Sequence, residues 1–434
     1  MHNVIPHSDG SDLRFVLTGT FHSLNRGDAA TQLVALRQLR ERWPAAQIAV
    51  HTPHADADRD LYGDEIVDCS RRRPRAAFRA LRAAALWRAA GGRTGLSEEL
   101  DSYRRASVVI DLSGDGFTDV FGLRLPLSHS VPLLLAATMG KPYVLMAQSI
   151  GPLRRLRPWV RWILRRAVFI TARDAETLQH LRAWRLPCPT RLTADLSFLL
   201  EPASRVLAAG RIASLGPYDA SRPLVGIAPS TPNEFRVLPE LVHCKRFGPF
   251  DDALVAICKR LAAQINAQVL LVPFAFGPGP AYDDRHMVKH LAARLLGQGI
   301  EPLVLTEPLL PADLKAVIGC CDVFFGSRTR SIVAAVSQGI PTMALAYSPR
   351  VAGLMERLRL GFYTLHAGRE NERALVELAS RLWTQRQEVR NTLAQALETE
   401  LLPAARHNFD LLSGLIQPQR EEYVIEPEMF RRAA

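Results

Sequence analysis

Eleven short, nearly uninterrupted apolar runs recur along this 434-residue chain, each followed by a longer stretch with helical spacing. In the first half they lie at Phe15–Thr20, Gln47–Thr52, Ser107–Gly114, Pro142–Gln148, Val168–Thr171 and Arg191–Ala194. In the second they lie at Leu224–Ala228, Gln268–Phe274, Pro302–Thr306, Asp322–Gly326 and Thr342–Tyr347. A strand with one face in water alternates apolar and polar side chains, whereas a strand covered by helices on both faces does not. The pattern therefore predicts an α/β fold built on parallel, doubly wound sheets. The length exceeds one ordinary domain, so two Rossmann-like domains are expected.

Leu200–Arg222 carries Glu201-Pro202, Gly210 and Gly216-Pro217, precedes Pro223, and shows little periodicity. It reads as a linker. The expected organisation is a first domain over residues 1–204 and a second over 222–401, with C-terminal helices 402–434 crossing back to the first. Two helical patterns are read from Asn371 onward, and a peripheral arm after Pro418.

An apolar fraction of 48% and a charged fraction of 22% suit a large buried core. Met1–Arg14 has no apolar run of signal-sequence type, and no stretch reaches the roughly 18 apolar residues of a membrane span. A cytoplasmic protein is expected, working either in solution or at the inner face of the membrane. The six cysteines, Cys69, Cys188, Cys244, Cys258, Cys320 and Cys321, form neither a disulfide framework nor a metal-ligand spacing, so no metal is expected.

The net charge of +11 comes from arginine. Arg71, Arg72, Arg73, Arg75, Arg79, Arg82 and Arg88 crowd one stretch; Arg154, Arg155, Arg157, Arg161, Arg165 and Arg166 crowd another, interleaved with Trp159 and Trp162. Such runs are a solvated face, or a surface for anionic lipid or a lipid-phosphate-linked substrate. Nucleic acid is disfavoured, because no recognition motif accompanies the charge.

In open parallel sheets, ligands bind beyond the carboxyl ends of the strands. The first such segment holds Asn25, Arg26, Gly27 and Asp28, with Asp28 able to cap a helix Ala29–Arg42. The third places Asp115 between Gly114 and Gly116, where backbone can approach a ligand closely. Next come Gln148 through Pro152, then Arg173-Asp174, read either as an internal ion pair or as an anion contact. The second half contributes Glu234, Asp283-Asp284 and Tyr347. The sharpest segment is Gly326-Ser327-Arg328-Thr329-Arg330-Ser331, between the Asp322–Gly326 run and a helix over Ser331–Gln338. Ser327 or Thr329 can cap that helix, whose free N–H groups and positive dipole end favour an anion. Two guanidiniums at that end are locally unfavourable unless they hold a phosphate or carboxylate.

Together, Asn25-x-Gly27-Asp28, the Gly114–Asp119 loop, Gly140-Lys141-Pro142, Gln148–Pro152, Arg173-Asp174, Asp195 with Phe198, and Gly326-Ser327-Arg328 through Gly339-Ile340-Pro341 to Tyr347 resemble the polysaccharide pyruvyl transferases. The resemblance covers most of residues 14–365. It implies a glycosyltransferase-B-like fold and transfer of the enolpyruvyl carbons of phosphoenolpyruvate to two hydroxyls of a glycan or lipid-linked sugar, with phosphate released. The donor is then a co-substrate and no further cofactor is implied. Arg173, Ser327, Arg328, Thr329 and Arg330 become the donor-binding set, Asp28 or Asp115 the general base, and Asn25, Gln148, Glu234 and Tyr347 the acceptor or cleft lining. In one respect the chain departs from the family, which has histidine where Arg330 stands. If that histidine were a general acid, His22 or His243 would have to replace it. The rival expectations are a nucleotide-sugar glycosyltransferase of the same fold, and a binding protein that lost catalysis with the histidine.

Overall fold

The computed structural model describes residues 12–416 except 64–65, 71–72, 120–121, 231–247, 347–348 and 367–371. One sheet contains β1 (Arg14–Thr18), β2 (Gln47–Thr52), β3 (Ile66–Asp68), β4 (Val108–Asp111), β5 (Tyr143–Gln148), β6 (Ile170–Ala172) and β7 (Thr190–Leu192). The other contains β8 (Leu224–Ala228), β9 (Gln268–Leu271), β10 (Leu303–Val304), β11 (Val323–Gly326), β12 (Thr342–Ala346) and β13 (Thr364–His366). All their pairings are parallel, in the orders β3-β2-β1-β4-β5-β6-β7 and β10-β9-β8-β11-β12-β13. The fold is thus the doubly wound α/β architecture expected from the uninterrupted apolar runs.

Every residue of β4, β5, β8, β9 and β11 is buried, which is why these runs lack alternation. Side chains still point to opposite faces in turn. Phe15 and Leu17 pack with Leu36, Leu39 and Trp43 on one side of the first sheet; Val16 packs with Val109, Leu135 and Leu145 on the other. In each sheet the order reverses once, between β1 and β4 and between β8 and β11. A cleft opens at such a switch point, because helices leave to opposite faces there.

The differences from expectation are short elements. β3 and β13 are three-residue edge strands without a readable run. Leu200–Arg222 is not all linker: Ser204 caps a helix Arg205–Ala213, its hydroxyl accepting from Leu207 N–H at 3.4 Å. Among the described residues, three helices, not two, follow residue 371: Glu372–Thr384, Arg386–Ala396 and Leu402–Ile416, the last two joined by a π turn at Leu397–Leu401. The Leu402–Ile416 helix packs Phe409, Leu412 and Ile416 into the core around β1. There Asn408 accepts from Thr171 Oγ1 at 2.5 Å and Thr193 Oγ1 at 3.0 Å, and donates to the Ala194 carbonyl at 3.2 Å. Among the described residues no helix is long and apolar enough to cross a membrane.

Candidate functional site

The loop after β1 ends at Asn25, whose side chain accepts from Gly27 N–H at 3.1 Å and Asp28 N–H at 3.5 Å. Asn25, not Asp28, is therefore the cap, and the helix runs Arg26–Arg42. Asp28 falls in the first turn, where the helix dipole favours a carboxylate. Its Oδ2 accepts from Phe21 N–H at 3.2 Å, and its Oδ1 accepts from Arg330 Nη1 of the second sheet's domain.

Arg330 lies in the first turn of the helix Thr329–Val336, directly after β11. The N-cap is Arg328 and no side chain caps it. Ser327 does not serve as cap: it is fully buried, and its hydroxyl donates to the Ala228 carbonyl at 3.1 Å. Arg330 reaches into the first domain so closely that a Cβ on Gly27 would meet its Cδ at 2.0 Å, and one on Gly114 its Nη2 at 3.0 Å. Burial opposes its charge, but Asp28, Asp195 and Asp115 more than offset this and raise its pKa above the ordinary value. Its Nε is buried without a hydrogen-bond partner among the described residues. An unsatisfied charged donor costs more than a neutral one, so it marks a place where an acceptor belongs.

The premise of two unneutralised arginines does not hold. Arg328 is bidentate to the fully buried Asp284, with Nε and Nη2 each at 2.8 Å. Asp284 also accepts from the N–H groups of Phe274 and Ala275, at 3.2 and 2.9 Å. That same segment forms the seam with the first domain: Ala275 bridges Asn25, Arg26 N–H donates to the Phe274 carbonyl at 3.2 Å, and Phe276 N–H to the Leu24 carbonyl at 3.0 Å. Arg328 thus fixes the turn that carries Arg330 against the inter-domain seam.

On the first-domain wall, Arg173 donates from Nη1 to Asp195 at 2.6 Å and from Nε to Ser149 Oγ at 2.8 Å. Asp195 is also held by Ser197; burial pushes its pKa up, but Arg173 and Arg330 outweigh this and the net shift is downward. Asp174 does not pair with Arg173. It caps the Ala175–Ala183 helix through Thr177 N–H at 2.7 Å and accepts from Ser149 Oγ at 2.5 Å. Gln148 does not line the cleft. It is fully buried, donating to Asp111 and the Met146 carbonyl and accepting from Ser113 Oγ at 2.9 Å, and so braces the base of the Asp115 loop. Arg357, the last residue of the helix Pro349–Arg357 and without a sequence signal, joins the wall by donating to the carbonyls of Arg173 at 3.0 Å and Thr193 at 2.7 Å. Between Arg173, Asp195, Thr329 and Val333 lies a cavity of about 20 Å³, room for one water.

Asp28, Asp115, Arg173 and Arg330 therefore converge, with Asn25 holding the loop and Thr329 on the cavity wall. Glu234, Tyr347 and His243 lie outside the described residues. His22 is buried, its Nδ1 accepting from Leu24 N–H at 3.0 Å and its ring 4.4 Å from that of His54. Asp195 and Asp284 acquire their roles only through partners distant in sequence.

The description of the family "Polysaccharide pyruvyl transferase" matches residues 25–349. A curated relative, the amylovoran biosynthesis protein AmsJ of Erwinia amylovora, is 20% identical over 333 residues, 74% of this chain and 76% of AmsJ. Among solved structures, a UDP-N-acetylglucosamine 2-epimerase superposes with a TM-score of 0.61 at 13% identity, covering 94% of this chain and 97% of its own. The S. aureus MnaA–UDP structure gives 0.57 at 11%, covering 93% and 95%. Anabaena HepE in complex with UDP gives 0.54 at 13%, covering 93% and 100%. At such identities these show the two-domain, glycosyltransferase-B-like fold.

Proposed function

The chain belongs to the polysaccharide pyruvyl transferase family, and we propose that it moves the three-carbon unit of phosphoenolpyruvate onto a sugar of a glycan or lipid-linked precursor. Two sugar hydroxyls add to the donor's C2. One of their protons ends on the methylene carbon, making a methyl group; the C2–O bond to phosphate breaks and phosphate leaves with the other. The product is a cyclic pyruvate ketal. The observation that supports this most is Arg330: a permanently charged, largely enclosed side chain with a buried, unsatisfied Nε–H, set between Gly27, Asp28 and Gly114 and near Arg173.

As described, the ion pairs fill the junction, so the donor enters by exchange. Its phosphate or carboxylate takes Arg330 from Asp28. Arg330 and Arg173 then face the donor, and fixed cations opposing the departing phosphate are the largest electrostatic contribution. Asp28, released, accepts the proton of a sugar hydroxyl; Asp115 is the second candidate base. Ser327, Arg328 and Asp284 keep the turn in place. Arg330 cannot supply a proton near neutral pH, so another group protonates the methylene carbon. The test is phosphate release from phosphoenolpyruvate that depends on added glycan acceptor, with a new ketal methyl resonance. Release without acceptor dependence, or without the ketal, would contradict the proposal.

Two observations favour other readings. Two structural neighbours were solved in complex with UDP, which favours a nucleotide-sugar glycosyltransferase; stabilisation by UDP but not by phosphoenolpyruvate would select it. Arg330 in the family's histidine position favours a binding protein without catalysis; ketal formation appearing only in Arg330→His would select that.

A further inference from the structure

The net positive charge of this chain is concentrated on one face. The helices Pro74–Ala89 and Arg124–Thr138 and the segment 153–166, which includes the helix Arg157–Leu164, hold four, one and six arginines. That equals the whole chain's excess of +11, and the three segments contain no aspartate or glutamate. They form one layer on the first sheet. Arg88 donates to the carbonyls of Ala137 and Thr138, and Trp159 Nε1 donates to Ser130 Oγ at 3.1 Å. Arg75, Arg79, Arg82, Arg154 and Arg155 are exposed, and their guanidiniums have no partner among the described residues.

A solvated charged face has no use for large apolar side chains, yet Phe78 is 68% exposed, Leu86 53% and Trp162 43% on this one. Trp162 is held in place, stacked on Trp159 with centroids 5.4 Å apart and with the Arg166 guanidinium 3.9 Å over its ring. Cationic side chains interspersed with rigid aromatic and aliphatic ones match the boundary between lipid headgroups and acyl chains. The same face adjoins the cleft. Asp119, at the end of the Gly114–Asp119 loop, accepts from the backbone N–H groups of Arg154 and Arg155 at 2.6 and 3.0 Å.

We propose that this three-helix face docks the protein on an anionic lipid bilayer, with the Asp115 loop turned toward the membrane surface. The purpose of such docking rests on the reading of a lipid-linked acceptor, but its test does not. The full chain is sedimented with vesicles of phosphatidylcholine alone or with added phosphatidylglycerol, without donor or acceptor. Binding is expected only to the anionic vesicles. Arg75→Ser, Arg79→Ser, Arg154→Ser and Arg155→Ser together should weaken it on the order of a thousandfold. The corresponding lysine substitutions should keep it. Phe78→Ser with Trp162→Ser should weaken it about tenfold. Absence of binding to anionic vesicles would overturn the proposal, as would loss in the lysine variant. Tighter binding to a single-stranded oligonucleotide, insensitive to Phe78 and Trp162, would assign the face to nucleic acid instead and equally overturn it. None of these outcomes touches the pyruvyl-transfer reading, which acceptor-dependent phosphate release tests separately.

Discussion

Adding one methyl group at Gly27 should separate closure of the cleft from stability of the fold. Gly27 lies in the first turn of the Arg26–Arg42 helix, so alanine suits the backbone and alone would stabilise that helix by roughly 1 kcal/mol. Across the cleft, however, the new Cβ would lie 2.0 Å from Arg330 Cδ, 2.8 Å from its Cβ and 3.0 Å from its Cγ. Carbon atoms in contact prefer about 3.5–4.0 Å. Cδ can swing aside, but the Arg330 Cβ is fixed to its helix, so relief requires the helix start to retreat from Gly27. Overpacking of this kind costs about 1–3 kcal/mol, and it falls on the closed arrangement alone. Titration of phosphoenolpyruvate by calorimetry should therefore show affinity reduced about tenfold to a hundredfold. The melting temperature without donor should fall little, since each domain keeps its own core. Affinity within twofold of wild type would refute the placement of Arg330 against Gly27.

Asp28→Asn keeps the Asn25 cap but removes the proposed base and the competitor for Arg330; turnover should fall about a hundredfold or more, while donor affinity holds or tightens. Arg328→Ala leaves Asp284 buried without its partner and should cost about 3–5 kcal/mol in chemical denaturation; Arg328→Ala with Asp284→Asn should recover part of that loss. Asp195 has its pKa lowered in the fold, so its contribution is present above the ordinary carboxylate range and lost as pH falls through the folded value. Asp195→Asn should accordingly lower stability near neutrality and flatten the acid limb of the stability–pH profile, so that the two profiles converge at low pH.

The sheets were legible because strands buried on both faces carry unbroken apolar runs, and the switch-point loops were legible because their polar residues follow directly. β3 and β13 were not, since three residues at an edge carry no period. The Arg205–Ala213 helix was missed for a physical reason: only Ala208 and Ile212 are buried, while Val206 and Leu207 face solvent, so it has no stripe. The site was legible as a set of loops, but its wiring was not. Asp28 and Arg330 are 302 positions apart, and nothing local distinguishes an arginine held by Asp284 from one left for a ligand. Asn25 and Asp28 are equally able to cap by type; the register of the first turn decides between them. Gln148 looks like a cleft residue by position, yet its amide is fully satisfied beneath the loop.

The central claim is that Arg330, supported by Arg173, receives the donor's anionic groups. Calorimetric titration of phosphoenolpyruvate into the wild-type chain and Arg330→Ala, with UDP as the comparison ligand, tests it most directly. Saturable phosphoenolpyruvate binding to the wild type, its loss in the variant, and no binding of UDP are expected. Binding of UDP without phosphoenolpyruvate, or undiminished phosphoenolpyruvate binding by Arg330→Ala, would contradict it.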